Sequence, residues 1–329
     1  LDAARPETMD AALAAVREDT MADLAEGMPD KRYLELFKIK YDYHSVKALL
    51  KAEVMGVPAD HMLMDMGRVL AADLAKAVRE RELEKLPEPL AAAVAEARQV
   101  LETTRDPQLS DIVLDRWCYR DMAALAEETG SAFLRGYVAV QVDAVNLRTA
   151  VRTLRMGKGA DFLLGALLEG GDLAPDAVAK AASSGAAGLR ELYGATRFRD
   201  AAEAGAEALK GGPLTAFEKL CDDAVGDYLA GAQSVPFGEA PLVSYLAARE
   251  TEYANLRILL MGRAAGIDPA VMASPFISTI VDALDRPSER PASVCPLSTA
   301  RMPPRTISET YAPLFSPKVR MATTVAGPR

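Results

Sequence analysis

Phe37-Lys38-Ile39-Lys40-Tyr41-Asp42-Tyr43-His44-Ser45-Val46-Lys47-Ala48-Leu49-Leu50-Lys51-Ala52 contains an order of residue types that the chain uses again. Asp42 is followed by Ser45, apolar Val46 and basic Lys47, and Gly56 stands beyond them. Asp143, Asn146, Leu147, Arg148 and Gly157 repeat that order at identical spacing, and so do Glu252, Asn255, Leu256, Arg257 and Gly266. At average residue usage the pattern is expected at about one in a hundred thousand start positions.

Each copy predicts an amphipathic helix that stops at its glycine. Val46, Leu49 and Leu50 form one apolar stripe at helical spacing, matched by Leu147, Ala150, Val151 and by Leu256, Leu259, Leu260. Burying such a stripe contributes about 1.5 to 3 kcal/mol per large side chain. The glycine fits the position just past a helix end, where left-handed backbone angles carry no Cβ strain. Pro58 and Pro269 then stand where they are expected to open the next helix.

The copies are too far apart for a solenoid unit of about 20 to 50 residues, so each repeat is expected to be a helical bundle in its own right. The composition agrees, with 50% hydrophobic but only 6% aromatic residues in 329, an Ala- and Leu-rich mixture that favours helices over strands. Segments 6–26, 62–86, 89–103, 109–129, 174–183, 196–209 and 214–232 also read as helices, with turns at 169–172 and 210–213. Residues 136–142 come nearest to a strand pattern but run straight into the second copy, and are read as helix. The expected fold is therefore all-α, with three helical repeats at 1–91, 92–195 and 196–271.

Residues 272–329 differ in composition. They hold 9 of the 20 prolines and seven basic against four acidic residues, which predicts an irregular tail. Leu1 in place of Met leads us to expect natural sequence upstream.

A net charge of -9 and a pI near 5.0 argue against nucleic acid, whose binding rests on clustered Lys and Arg. No run approaches the roughly 18 apolar residues of a membrane span, so any membrane contact is expected to pass through a partner. Cys118, Cys221 and Cys295 form no CxxC and are odd in number, which fits a reducing, cytoplasmic setting.

Candidate chemistry is sparse. His61 and Asp65 stand four apart, as two metal ligands on one helix face would, but no third ligand is visible, so no metal is expected. His44 is expected to be packed or hydrogen-bonded rather than catalytic. Gly157-Lys158-Gly159 lacks the strand and further glycine of a phosphate loop and is read as a helix cap. No catalytic residue and no cofactor are expected.

The motif acid and base lie about 140° apart around a helix, so they cannot pair within it and must bridge to neighbouring helices or to a partner. Lys47 and Lys51, like Arg148 and Arg152, share a face read as solvent-facing. Candidate partner contacts are Asp42, Lys47, Lys51, Asp143, Arg148, Arg152, Glu252, Arg257 and Arg263, with internal bracing as the alternative role for each.

The first motif closely resembles KYDYHNLKxLLKA, a signature of the C subunits of V-type (A/V-type) ATPases, called d in eukaryotes. Asp143 to Thr149 with Gly157, Phe162 and Gly170-Gly171 resembles that family's middle segment, and the third copy resembles its closing NIRxIxxGKxxG. The likeness runs over about 9–271 and departs from the family at the tail.

This resemblance implies three bundles about a pseudo-threefold axis forming a funnel. It also implies a non-catalytic central-stalk subunit on the cytoplasmic face of the membrane. Its partners would be the rotor shaft subunits and the proteolipid ring, and it would couple ATP turnover to proton or sodium transport. A helical-repeat adaptor unrelated to rotary ATPases is the competing interpretation.

Overall fold

All three motif copies lie on long helices. The structure, a computed structural model, describes residues 6–28, 30–59, 62–63 and 65–266. The tail 272–329, Pro269, Cys295 and His61 lie outside the described residues.

In chain order the helices are α1 (Pro6–Gly27), α2 (Arg32–Met55), α3 (Ala71–Glu80), α4 (Glu88–Thr104), α5 (Pro107–Thr129) and α6 (Ala132–Arg155). They continue with α7 (Ala160–Ala166), α8 (Pro175–Ser183), α9 (Gly185–Tyr193), α10 (Arg199–Leu209), α11 (Leu214–Ala230) and α12 (Glu239–Ala264). Short 3-10 turns occupy Leu83–Lys85 and Gly231–Ser234, and no strand occurs among the described residues. None of the described helices is long and apolar enough to cross a membrane.

Local chemistry sets the ends. Pro107 opens α5 behind Asp106, whose Oδ1 accepts from the Gln108 N–H at 2.8 Å. Ser131 caps α6 by accepting from the Leu134 N–H at 3.0 Å, and its hydroxyl donates to Glu239 Oε1 at 2.8 Å, tying the starts of α6 and α12 together. Beyond α2, α6 and α12 the three motif glycines adopt φ of 65°, 66° and 69°, the left-handed stop that their spacing predicts.

The sequence expectations differ from the structure in several places. Residues 62–86 do not form one helix; the chain turns at 65–69 and α3 begins only at Ala71, because the Arg68 and Val69 N–H groups are taken by a buried carboxylate. Pro58 itself lies in irregular chain. The segment expected from Thr196 becomes α-helical at Arg199, and the one expected through Ala232 tightens into the 3-10 turn after Ala230. Helices α7 and α9 stand where the sequence reads as connection, being too short and too rich in Gly and Ala to show a periodic stripe.

Buried apolar residues gather into two clusters. The larger joins α1 to α5 with the first half of α6 and with Val243, Leu246 and Ala247 of α12. The smaller joins the second half of α6 to α7, α8, α9, α10 and α11. Helix α6 serves both, which explains its unusually complete burial: Leu147, Ala150 and Val151 are at most 1% exposed.

Candidate functional site

Asp42 and Asp143 do not reach the surface. They are 1% and 3% exposed, and each carboxylate is enclosed by a loop further along the chain. Asp42 Oδ1 accepts from the Arg68 N–H at 3.0 Å and the Val69 N–H at 3.2 Å. Asp143 Oδ2 accepts from the Asp172 N–H at 3.0 Å, and its Oδ1 from the Leu173 N–H at 3.2 Å.

In both cases the residue just before the two donors is glycine, for a steric reason. A Cβ on Gly67 would stand 2.1 Å from Asp42 Oδ1, and one on Gly171 would stand 2.2 Å from Asp143 Oδ1. The first and second copies thus build the same seat: a helix carboxylate, a glycine against it, and the next two backbone N–H groups donating into it. In the second copy Asn146 completes the clamp, accepting from the Leu168 N–H and donating to the Leu168 carbonyl, both at 2.8 Å.

The two seats differ in charge balance. Arg68 Nε donates to Asp42 Oδ2 at 3.0 Å, and its Nη2 donates to Asp121 Oδ2 at 2.5 Å, so one guanidinium joins two buried carboxylates. Tyr43 adds a hydrogen bond to Asp121 at 3.3 Å. The second copy has Asp172 where the first has Arg68, and Asp143 has only its backbone donors. Burial raises the pKa of both acids, and that of Asp143 reaches about 6.

The basic residues of these copies form ladders to a neighbouring helix. Lys47 pairs with Asp115 at 2.6 Å and Lys51 with Asp111 at 2.5 Å, both on α5. Arg148 pairs with Asp222 and Arg152 with Glu218, each at 2.5 Å, both on α11. As the position on the motif helix rises by four, the partner's position falls by four, so both helix pairs run antiparallel. The face read as solvent-facing is therefore spent on bracing, with the outer rungs still half-exposed.

The third copy departs from this plan. Glu252 is paired with Arg249 on its own helix, and its Oε1 is buried with no hydrogen-bond partner. Burial raises its pKa as well. Arg257 and Arg263 are exposed. The stripe residues Leu256, Leu259 and Leu260 are only half-buried, whereas Val46, Leu49 and Leu50 are at most 3% exposed.

His44, expected to be packed or hydrogen-bonded, is exposed on α2. Its pKa is lowered by desolvation and by Lys47, Lys51 and Arg257 nearby, which makes it a poor proton acceptor. Asp65 caps α3 by accepting from the Ala71 N–H at 2.7 Å. Among the described residues no group of three or more His, Cys, Asp or Glu side chains is placed to hold a metal.

A second junction has no signature in the sequence. Arg17 of α1, 3% exposed, donates from Nε to Glu250 Oε1 of α12 at 2.6 Å and from Nη1 to the Met66 carbonyl at 3.3 Å. Its guanidinium lies 4.5 Å over the Tyr41 ring, and the Tyr41 hydroxyl donates to Glu250 Oε2 at 2.7 Å. The acid pairs Asp111/Asp115 and Glu218/Asp222, spaced like the bases they meet, are a readable signal for the ladders. Arg17 and Glu250 offer none, being more than 200 residues apart.

A family model described as ATP synthase (C/AC39) subunit matches residues 2–274. The chain is 25% identical over 246 residues to the C subunit of the V-type sodium ATPase of Enterococcus hirae, covering 73% of each. It is 27% identical over 245 residues to the C subunit of a V-type ATP synthase of Thermus thermophilus, covering 69% of this chain and 68% of that one. It is 25% identical over 266 residues to the C subunit of an A-type ATP synthase of Methanocaldococcus jannaschii, covering 75% of this chain and 66% of that one.

Proposed function

The chain belongs to the ATP synthase (C/AC39) subunit family, and from that premise we propose that it is a non-catalytic coupling piece of the central stalk of a rotary ATPase. It joins the rotor shaft subunits to the proteolipid ring on the cytoplasmic face of the membrane, passing torque between ATP turnover and proton or sodium transport. The family match across residues 2–274 carries this proposal. It sets aside an adaptor unrelated to rotary ATPases.

Such a role asks for stiffness rather than reactivity. Buried seats that fasten loops to helices, and charge ladders that lock helix to helix, resist shear between elements, since interiors are close-packed and transmit strain. That the first and second copies share one seat and one ladder supports equivalent walls for these two copies in the proposed pseudo-threefold arrangement. Because Asp42 and Asp143 are enclosed, the partner contacts fall to the exposed cations among the candidates, Arg257 and Arg263, with Lys51 and Arg152 at the rims of the ladders.

Co-purification tests the proposal. A tagged chain expressed with the other subunits should elute together with the shaft subunits and the detergent-extracted ring. If head and ring assemble normally without the tagged chain, which is recovered alone, the proposal is wrong.

A further inference from the structure

We propose that the cleft between α5 and the α7–α8 segment is a binding site for a small zwitterion, a free α-amino acid with an aliphatic side chain. The proposal rests on the lining of the cleft and is independent of the role in a rotary assembly.

The cleft has a volume of about 320 Å³, within the range of roughly 300 to 1,000 Å³ usual for small-ligand sites. Its chemistry divides by element. Helix α5 contributes Arg116 and Arg120, four residues apart and therefore neighbours on one side of the helix. Glu169, beyond α7, and Asp176, in the first turn of α8, contribute two carboxylates. Apolar surface comes from Leu164, which is 46% exposed, and from Leu167 and Pro175 beside it.

The charges of this cleft are loosely held. Arg116 meets Glu96 at 3.4 Å and Arg120 meets Glu169 at 3.5 Å, at the outer limit of a hydrogen bond. The ladder rungs close at 2.5 to 2.6 Å. Arg120 and Glu169 are also 53% and 73% exposed, so water screens their attraction and the pair is readily exchanged for better-placed partners. Asp176 makes no ion pair among the described residues.

The occupant's chemistry follows from that lining. A carboxylate accepts charge-assisted hydrogen bonds from Arg116 and Arg120, and an ammonium donates to Glu169 and Asp176. Because Arg120 and Glu169 already stand side by side, the cleft offers both signs at the close spacing of an amino-acid head group. An aliphatic side chain covers Leu164 and Pro175. An inorganic anion would leave both acids unanswered, and a simple cation would face two arginines.

Equilibrium dialysis of the full chain against radiolabelled L-leucine tests the proposal. Saturable binding is expected. Trp117, the single tryptophan of the chain, stands between the two arginines on α5 with the Arg120 guanidinium 5.9 Å from its ring, so its emission should change with the same half-saturation. Arg120→Gln and Asp176→Asn should each weaken binding about tenfold, as the loss of a charge-assisted contact does. Circular dichroism checks that both variants keep their helices, and Arg190→Gln, on α9 and outside the cleft lining, should bind leucine like the wild type. Unlabelled 4-methylpentanoate, which lacks the ammonium, and isoamylamine, which lacks the carboxylate, should each compete about tenfold more weakly than leucine. The proposal is overturned if dialysis shows no saturable binding, or if both cleft variants bind as the wild type does. Competition by 4-methylpentanoate as strong as that by leucine would equally overturn it, since the two acids would then recognise nothing.

Discussion

Three motif acids occupy corresponding positions, yet each meets a different balance of burial and partners. Asp42 has an arginine and two backbone donors, Asp143 two backbone donors alone, and Glu252 an arginine and one idle oxygen. Burial raises all three pKa values, so the folded state holds its protons to higher pH than the unfolded chain does. For Asp143 the window runs from the ordinary 3.8 to about 6. Stability associated with the neutral acid is fully present below that window and is lost as pH rises through it, on the order of 2 kcal/mol for such a shift. Denaturant titrations at pH 4 and pH 7 should show this fall, and Asp143→Asn should flatten it while lowering stability at both values, because its amide faces a backbone N–H. A pH dependence unchanged by the substitution would refute the assignment.

Antiparallel ladders link α2 to α5 and α6 to α11. Each motif helix thereby pairs with the helix that leads into the next copy, so the packing does not divide where the sequence repeat divides. Two apolar clusters result, with α6 common to both. The rungs are half-exposed and individually weak, worth about 0.2 to 1 kcal/mol. A double-mutant cycle on Arg148 and Asp222 should give a coupling in that range at low salt, largely gone at 1 M salt, where screening falls to about 3 Å. A coupling near zero at low salt would mean that α6 and α11 are held by their apolar faces alone.

For the molecule as a whole, the most consequential tie is the longest in sequence. Arg17, Tyr41 and Glu250 bring α1, α2 and α12 to one buried junction, joining the two ends of the described chain. Removing one member of such a buried pair leaves its partner charged and unpaired. Arg17→Ala should therefore cost about 3 kcal/mol and speed amide exchange in both α1 and α12. Exchange that quickens in α1 but not in α12 would show that the junction does not brace the third copy.

The recurrence of acid, Ser or Asn, base and glycine was enough to fix the motif helices, their apolar stripes and their glycine stops, because helical period and left-handed backbone are local requirements that residue type alone satisfies. The same recurrence placed the acids and bases on different sides of each helix but left open what they meet. Only the tertiary structure decided that Asp42 and Asp143 turn inward to loop N–H groups, that Lys47, Lys51, Arg148 and Arg152 brace neighbouring helices, and that Glu252 is left with an idle oxygen. A charge has no preferred partner along the chain. Its partner is whatever the packing of distant apolar faces brings within hydrogen-bond reach, and that depends on contacts such as Arg17 to Glu250 that no local pattern records.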